Sequence, residues 1–217
     1  MALWEYLGSW SGVTKWLYHL NWDANDSSGN WNNWTPTNIT WVWWKLGSGA
    51  ASFNGTSSYI TVPSTLSSLT TSWTYSFFLT ATSNASAIYS RWVSSSSQRN
   101  IHIYITFWGK ISVDVPYIKA WIVTSNTTIN DWTIRHIVIT KSSNIWSIYI
   151  NWILDNSVTD NITQESNTSA SYIWKDATTS SQYLNWKIDE FIIENRAWTA
   201  TEAQKYYTYS SWKFGIQ

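Results

Sequence analysis

Apolar and polar residues alternate along most of this chain with the two-residue period of a β-strand. In 101–105, Ile101, Ile103 and Ile105 face one way while His102 and Tyr104 face the other. Around 147–151, Ser147, Tyr149 and Asn151 alternate with Ile148 and Ile150. Such alternation marks sheets buried on one face. Runs rich in β-branched and aromatic residues recur at 17–20, 50–53, 59–62, 73–80, 87–91, 100–107, 110–115, 119–124, 133–140, 144–150, 172–174 and 184–194, separated by Asn, Asp, Ser and Gly. These segments are predicted strands.

One segment departs from that period. Thr199-Ala-Thr-Glu202 has the spacing of a capping box, in which the Thr hydroxyl accepts from the third helical N–H and the Glu reaches back. It predicts a helix over about 200–207 that is too short to stand alone. Ala203, Tyr206 and Tyr207 are its candidate packing residues. Many antiparallel strands with one late helix predict an all-β fold, a two-sheet antiparallel jelly-roll sandwich with one short C-terminal helix. The expected organisation is an N-terminal arm (1–16), one sandwich domain of about 12–14 strands (17–209) and a C-terminal tail (210–217).

The turns hold an anomaly. In IYINWILDN (148–156), two strand-like runs flank Asn151-Trp152, where a two-residue hairpin wants Asn-Gly because both central residues take positive φ. Trp22, Trp31, Trp34, Trp43, Trp44, Trp108 and Trp186 occupy similar turn-like settings. The chain has 20 tryptophans and 8 glycines, where an average domain of this length has about 15 glycines. A non-glycine residue in the left-handed region costs roughly 1–2 kcal/mol, and a bulky one is an outlier there. The pattern predicts that many of these codons are UGA read as glycine. Trp73, Trp146 and Trp198 lie in strand or helix contexts that suit an indole, and Trp41 fits either reading.

Formal net charge is zero and only 12% of residues are charged, which excludes the basic footprint of a nucleic-acid binder. With no cysteine there are no disulfides and no thiolate metal sites. The first residues have no cationic start followed by an apolar run, so no signal peptide is expected there. No window approaches a membrane span. An Asn/Ser/Thr-rich surface suits an extracellular sandwich, with any export signal outside this sequence.

Three segments carry a family resemblance. AASFNGTSSYITVPSTLSSLTTSWTYSFFL (50–79), NDWTIRHIVITKSSNIWSIYINWILDN (130–156) and SYIWKDATTSSQYLNWKIDEFIIENRAWTATEAQKYY (171–207) together resemble laminin G-like domains of the concanavalin A-like lectin/glucanase superfamily. The shared features are Phe-x-Gly followed by Tyr-Ile-x-Val-Pro, a His-bearing strand with its hairpin, and a closing Ile-Asp-Glu then Asn-Arg-Ala. Trp22, Trp31, Trp34, Trp132, Trp152, Trp174 and Trp186 fall where that family carries glycine. Stereochemistry and resemblance thus select overlapping positions.

The resemblance implies a jelly roll, and it admits glycoside hydrolases, which place carboxylates on one strand face as Glu-x-Asp-x-Glu. Here strand alternation puts Glu190, Ile192 and Glu194 on one face and Asp189 on the other. Ile192 stands where the hydrolases keep Asp, so the pair reads as structural, with solvated carboxylates. His19, His102 and His136 have no metal-ligand spacing, and no Ser-His-Asp set is readable; no catalytic residue is expected.

Domains of this kind also hold a structural calcium ion, which takes six to eight oxygen ligands. The loop DANDSSGN (23–30) supplies Asp23, Asn25, Asp26 and Asn30, and the Ile-Asp-Glu strand supplies Asp189. The competing reading is an Asx-turn loop capping its own backbone. For a ligand, the loops at one end are the default surface, with Tyr117 and Trp121 as aromatic platform and Arg91, Gln98 and Arg99 as polar partners. The expected function is a non-catalytic binding or adhesion module, carbohydrate-binding, in a larger exported or surface protein. The alternatives are a structural spacer of a surface or phage-like assembly and, more remotely, an endo-acting glycoside hydrolase.

Overall fold

The computed structural model describes residues 14–45, 49–63, 71–81, 86–91, 101–116, 118–162, 171–173 and 185–215. Fifteen strands and one helix lie among them: β1 (Thr14–Tyr18), β2 (Thr35–Thr37), β3 (Thr40–Val42), β4 (Ala50–Ser52), β5 (Tyr59–Val62), β6 (Ser72–Thr80), β7 (Ser86–Arg91), β8 (His102–Ile105), β9 (Lys110–Val115), β10 (Lys119–Thr128), β11 (Arg135–Ser142), β12 (Ile145–Ile150), β13 (Ile153–Thr159), β14 (Ser171–Ile173), β15 (Lys187–Glu194) and α1 (Ala200–Phe214). They form two antiparallel sheets. One runs β13-β12-β11-β6-β15-β4-β3, with β1 also paired to β15, and the other runs β10-β9-β8-β7-β14-β5-β2.

The sheets stack through their apolar faces. Ile103, Ile105, Ile111, Val113, Val123, Ile60 and Ile173 from the seven-stranded sheet meet Tyr75, Phe77, Ile137, Ile139, Ile148, Phe191 and Ile193 from the eight-stranded one. Phe77 and Phe191 stack at 5.3 Å between centroids. Burying such side chains contributes about 1.5–3 kcal/mol each before entropy is set against it. Short β2 and β3 are elements the strand pattern did not single out; at three residues each they are too short to show a period.

The helix covers the outer face of the eight-stranded sheet. Trp198, Ala203, Tyr206 and Tyr209 pack onto Leu17, Phe78, Val138 and Ile192, with Tyr207 at the margin. Thr199 and Glu202 form the expected capping box. The helix is nearly twice its predicted length because nothing stops it until Gly215, whose φ of 64° ends it in the left-handed conformation.

Strand β15 is interrupted at its centre. Asp189 pairs with Phe78 and Ile192 with Ser76, so two residues on β15 oppose the single Phe77 on β6. Glu190 is the surplus residue, at φ 50°. The bulge corrects the simple alternation. Asp189 shares a cross-strand position with Phe78 of the helix-side cluster, so it lies under the helix with Ile192 and Glu194 rather than on the opposite face.

Candidate ligand-binding face

The seven-stranded sheet turns its other face away from the core, and the register lays a row of polar and aromatic residues across it. Thr35 pairs with Thr61, Thr61 with Tyr172, Tyr172 with Ser90, Ser90 with His102 and His102 with Asp114. A second row joins Tyr104, Ser112 and Thr124. Directly paired residues share a face. The row therefore crosses β2, β5, β14, β7, β8 and β9 without entering the apolar interior.

Its side chains fix one another. The His102 and Tyr104 rings stack at 4.7 Å with 15° between planes. Tyr104 donates its hydroxyl to Asp114 Oδ1 at 3.2 Å, and the Trp121 backbone N–H donates to the same oxygen at 2.6 Å. Tyr59 meets Tyr172 edge-on at 6.1 Å. Ser112 and Thr124 share a hydrogen bond of 2.8 Å. Burial, reinforced by the Asp114 charge, pushes the Tyr104 phenol up to about 12, so it remains a donor at any working pH. Burial likewise raises the Asp114 carboxyl above its ordinary value. The face continues at the β9–β10 edge into a cleft of about 530 Å³ lined by Thr106, Trp108, Lys110, Trp121, Thr124 and Thr128. Half-buried aromatic rings beside oriented hydroxyl, imidazole and carboxylate groups are the furniture of a small-ligand site.

Sequence reasoning missed Tyr172, Ser90, Tyr104 and Asp114 as a group. The signal for His102 and Tyr104 was present in the alternation of 101–105, but nothing in it says that β14, β7, β8 and β9 are neighbours. Of the expected ligand residues, Trp121 stands exposed at the rim of this face. Arg91 does not join it: it is buried on the core side, its charge acting on the Tyr75 and Tyr89 hydroxyls. Gln98, Arg99 and Tyr117 lie outside the described residues.

The carboxylates of β15 are sealed, not solvated as expected. Glu190 is held by His19 Nδ1 at 2.9 and 3.0 Å and accepts from the Tyr206 hydroxyl at 3.1 Å. Glu194 is fully buried, accepts from Trp198 Nε1 at 2.8 Å and pairs with Arg196 at 3.1 Å. Asp189 is also fully buried, and burial together with the adjacent Glu190 raises its carboxyl well above the usual range. Tyr206 of the helix and Trp198 just before it close over Glu190 and Glu194, and among the described residues no substrate cleft opens above the three.

The loop expected to hold calcium is tied to backbone. Asp26 Oδ1 accepts from the Leu17 and Ser28 N–H groups at 3.2 and 2.8 Å, and its Oδ2 accepts from Asn32 N–H at 3.0 Å. Asp23 accepts from the backbone and side chain of Asn25, while Asn30 bonds to the Ser28 hydroxyl. Among the described residues no three His, Asp or Glu side chains gather at a metal-holding spacing. Asp23 and Asp26 thus cap nearby backbone N–H groups in the manner of an Asx turn.

Two stacked antiparallel sheets, a helix closing one of them and a polar aromatic face on the other define a jelly-roll domain of the lectin and glucanase type. A family model of the concanavalin A-like lectin/glucanases superfamily matches residues 54–204, and the chain belongs to that family. No curated protein matches it in sequence. Among solved structures, it is similar to the binding domain of Paraclostridial Mosquitocidal Protein 1 (TM-score 0.75, 19% identity, 92% of this chain and 53% of that one). It is also similar to domain 4 of AbnA, a GH43 extracellular arabinanase from Geobacillus stearothermophilus, in complex with arabinotriose (TM-score 0.71, 18% identity, 89% of this chain and 97% of that one). A third is the botulinum neurotoxin serotype G binding domain (TM-score 0.65, 19% identity, 86% of this chain and 48% of that one). The chain thus spans about half the length of the two toxin domains. Among the described residues no helix is long and apolar enough to cross a membrane.

Proposed function

We propose that this domain is a non-catalytic carbohydrate-binding module of a larger exported or surface protein, and that its ligand lies along the outer face of the seven-stranded sheet. The observation that carries this reading is the row Tyr172–Ser90–His102–Asp114 with Tyr104 beside it. Pyranose and furanose rings offer C–H faces that lie on aromatic rings and hydroxyls that pair with carboxylate, imidazole and hydroxyl groups. Both kinds of partner stand on this face. The similarity to toxin binding domains, and to a domain whose structure contains arabinotriose, supports the reading. The sealed state of Asp189, Glu190 and Glu194 supports a role without glycoside hydrolysis, because retaining chemistry needs two accessible carboxyl groups about 5–5.5 Å apart.

A glycan array that includes arabino-oligosaccharides tests this directly, with Tyr172→Ala and Asp114→Asn as controls. The expected result is binding that falls at least tenfold in either variant while the melting temperature holds. Absence of binding to every glycan, or binding indifferent to both substitutions, overturns the reading.

A further inference from the structure

Sixteen of the 20 tryptophans lie among the described residues, Trp4, Trp10, Trp92 and Trp174 being the others. They divide into groups by backbone conformation. Trp22, Trp31, Trp121, Trp132 and Trp152 have φ of 74°, 59°, 52°, 66° and 69°. These are five of the ten left-handed non-glycine residues described, in a region that bulky side chains almost never adopt. All five indoles are exposed, from 38% at Trp152 to 87% at Trp31, and the ring contacts of Trp22, Trp121 and Trp132 are to other tryptophans at the surface or its margin, so none of the five is held by the core.

Trp73, Trp146 and Trp198 behave in the opposite way. Each is buried and none has a positive φ. The Trp146 indole N–H donates to the Asp160 carbonyl at 3.2 Å, and that of Trp198 donates to Glu194. Trp73 and Trp146 also meet edge to face at 5.5 Å in the core. Their sequence contexts are the ones that suit an indole.

Four of the five left-handed positions lie at identifiable turns or ladder breaks. Asn151 and Trp152, both at positive φ, form the two-residue turn between β12 and β13, the geometry of Asn-Gly. Trp22 N–H donates to the Leu20 carbonyl in a tight turn after β1, and Trp132 N–H donates to the Ala81 carbonyl before β11. Trp121 sits at the register break in the β9–β10 ladder. Function supplies no counter-argument, since the ligand face is built from Tyr172, His102, Tyr104 and Asp114, with only the rim touched by Trp121.

We infer that positions 22, 31, 121, 132 and 152 carry glycine in the protein as its own host makes it, through UGA codons read there as glycine. The assignment does not extend on these grounds to the other tryptophans expected at turns. Trp34, Trp43, Trp44, Trp108 and Trp186 have no positive φ, and at the Trp108 turn the left-handed residue is Gly109. Trp34 stacks on Tyr18 at 3.3 Å between centroids, and among the described residues its indole N–H has no acceptor. That crowding marks it as the next position to check.

The test is the mass of peptides from the native protein. Trypsin releases residues 142–175, which hold Trp146 and Trp152 in one fragment. Tandem mass spectrometry is expected to find tryptophan at 146 and glycine at 152, with glycine likewise at the other four sites. Tryptophan at any of them overturns the inference at that site. A recombinant chain with glycine at all five, compared with the chain as written, is expected to melt about 10 °C or more higher; an unchanged or lower melting temperature counts against the inference. Neither measurement depends on whether the domain binds a glycan.

Discussion

His19 and Glu190, 171 positions apart in sequence, meet where the end of β1 reaches the bulge of β15, with Nδ1 at 2.9 and 3.0 Å from the two carboxylate oxygens. Burial pulls the His19 imidazolium down, but the hydrogen bond and charge of Glu190 together outweigh it and the net shift is upward. A histidine whose folded pKa exceeds its ordinary value contributes stability that is complete below about pH 6.5. That contribution disappears as pH rises through the folded value. Glu190→Gln should therefore destabilise the domain by about 2 kcal/mol in mildly acid solution, with a smaller difference in alkaline solution. Urea denaturation at both pH values reads it.

His136 works in the other direction. It is fully buried, stacked on Phe78 at 4.6 Å and bonded through Nε2 to the Ser76 hydroxyl at 2.8 Å. Burial pushes it down to about 3. The folded protein keeps it neutral while the unfolded chain takes up a proton below about pH 6.5, so stability is lost as pH falls. Between pH 6.5 and 4 the loss from this residue is about 3 kcal/mol. His136→Phe removes the titration, and its melting temperature should fall less over that interval than the parent's.

Gly109 and Trp152 occupy equivalent backbone conformations, at φ of 72° and 69°, and should respond oppositely to substitution. A Cβ at Gly109 would overlap the Asn130 side-chain amide, so Gly109→Ala should cost about 2 kcal/mol or more. Trp152→Gly should stabilise the domain by about 1 kcal/mol, by releasing left-handed strain at an exposed turn. Chemical denaturation of the two single variants checks both signs.

Thr199 starts the helix and also positions Glu202, whose other oxygen accepts from Arg196 at 2.7 Å. Thr199→Ala should lower stability by about 1 kcal/mol. Hydrogen exchange should show the loss first at the amide of residue 202, which donates to the Thr199 hydroxyl.

Much of the fold was legible because its signals are local. Alternation at 101–105 places Ile103 and Ile105 in the core and His102 and Tyr104 outside, and the Thr199–Glu202 spacing starts the helix where it starts. Asn151-Trp152 makes the expected hairpin. The candidate site was not legible, because Tyr172 and Ser90 become neighbours only when β14 inserts between β5 and β7, a pairing across some eighty residues. The placement of Asp189 failed for a related reason. A bulge adds one residue without altering the apolar pattern on either side of it, so the period of two carries no trace of the interruption.

That bulge has a consequence for how β15 tolerates change in length. Phe191 already faces Phe77, and Asp189 already pairs with Phe78, so excising Glu190 alone would leave a seamless ladder with every flanking side chain on its present side. Removing Phe191 would instead set Glu190 opposite Phe77 between the sheets, and removing Ile193 would carry Glu194 into the core-facing position. Glu190 is thus the one residue of this strand that hydrogen-bond geometry does not require, and its retention rests on the side chain that reaches His19 and Tyr206.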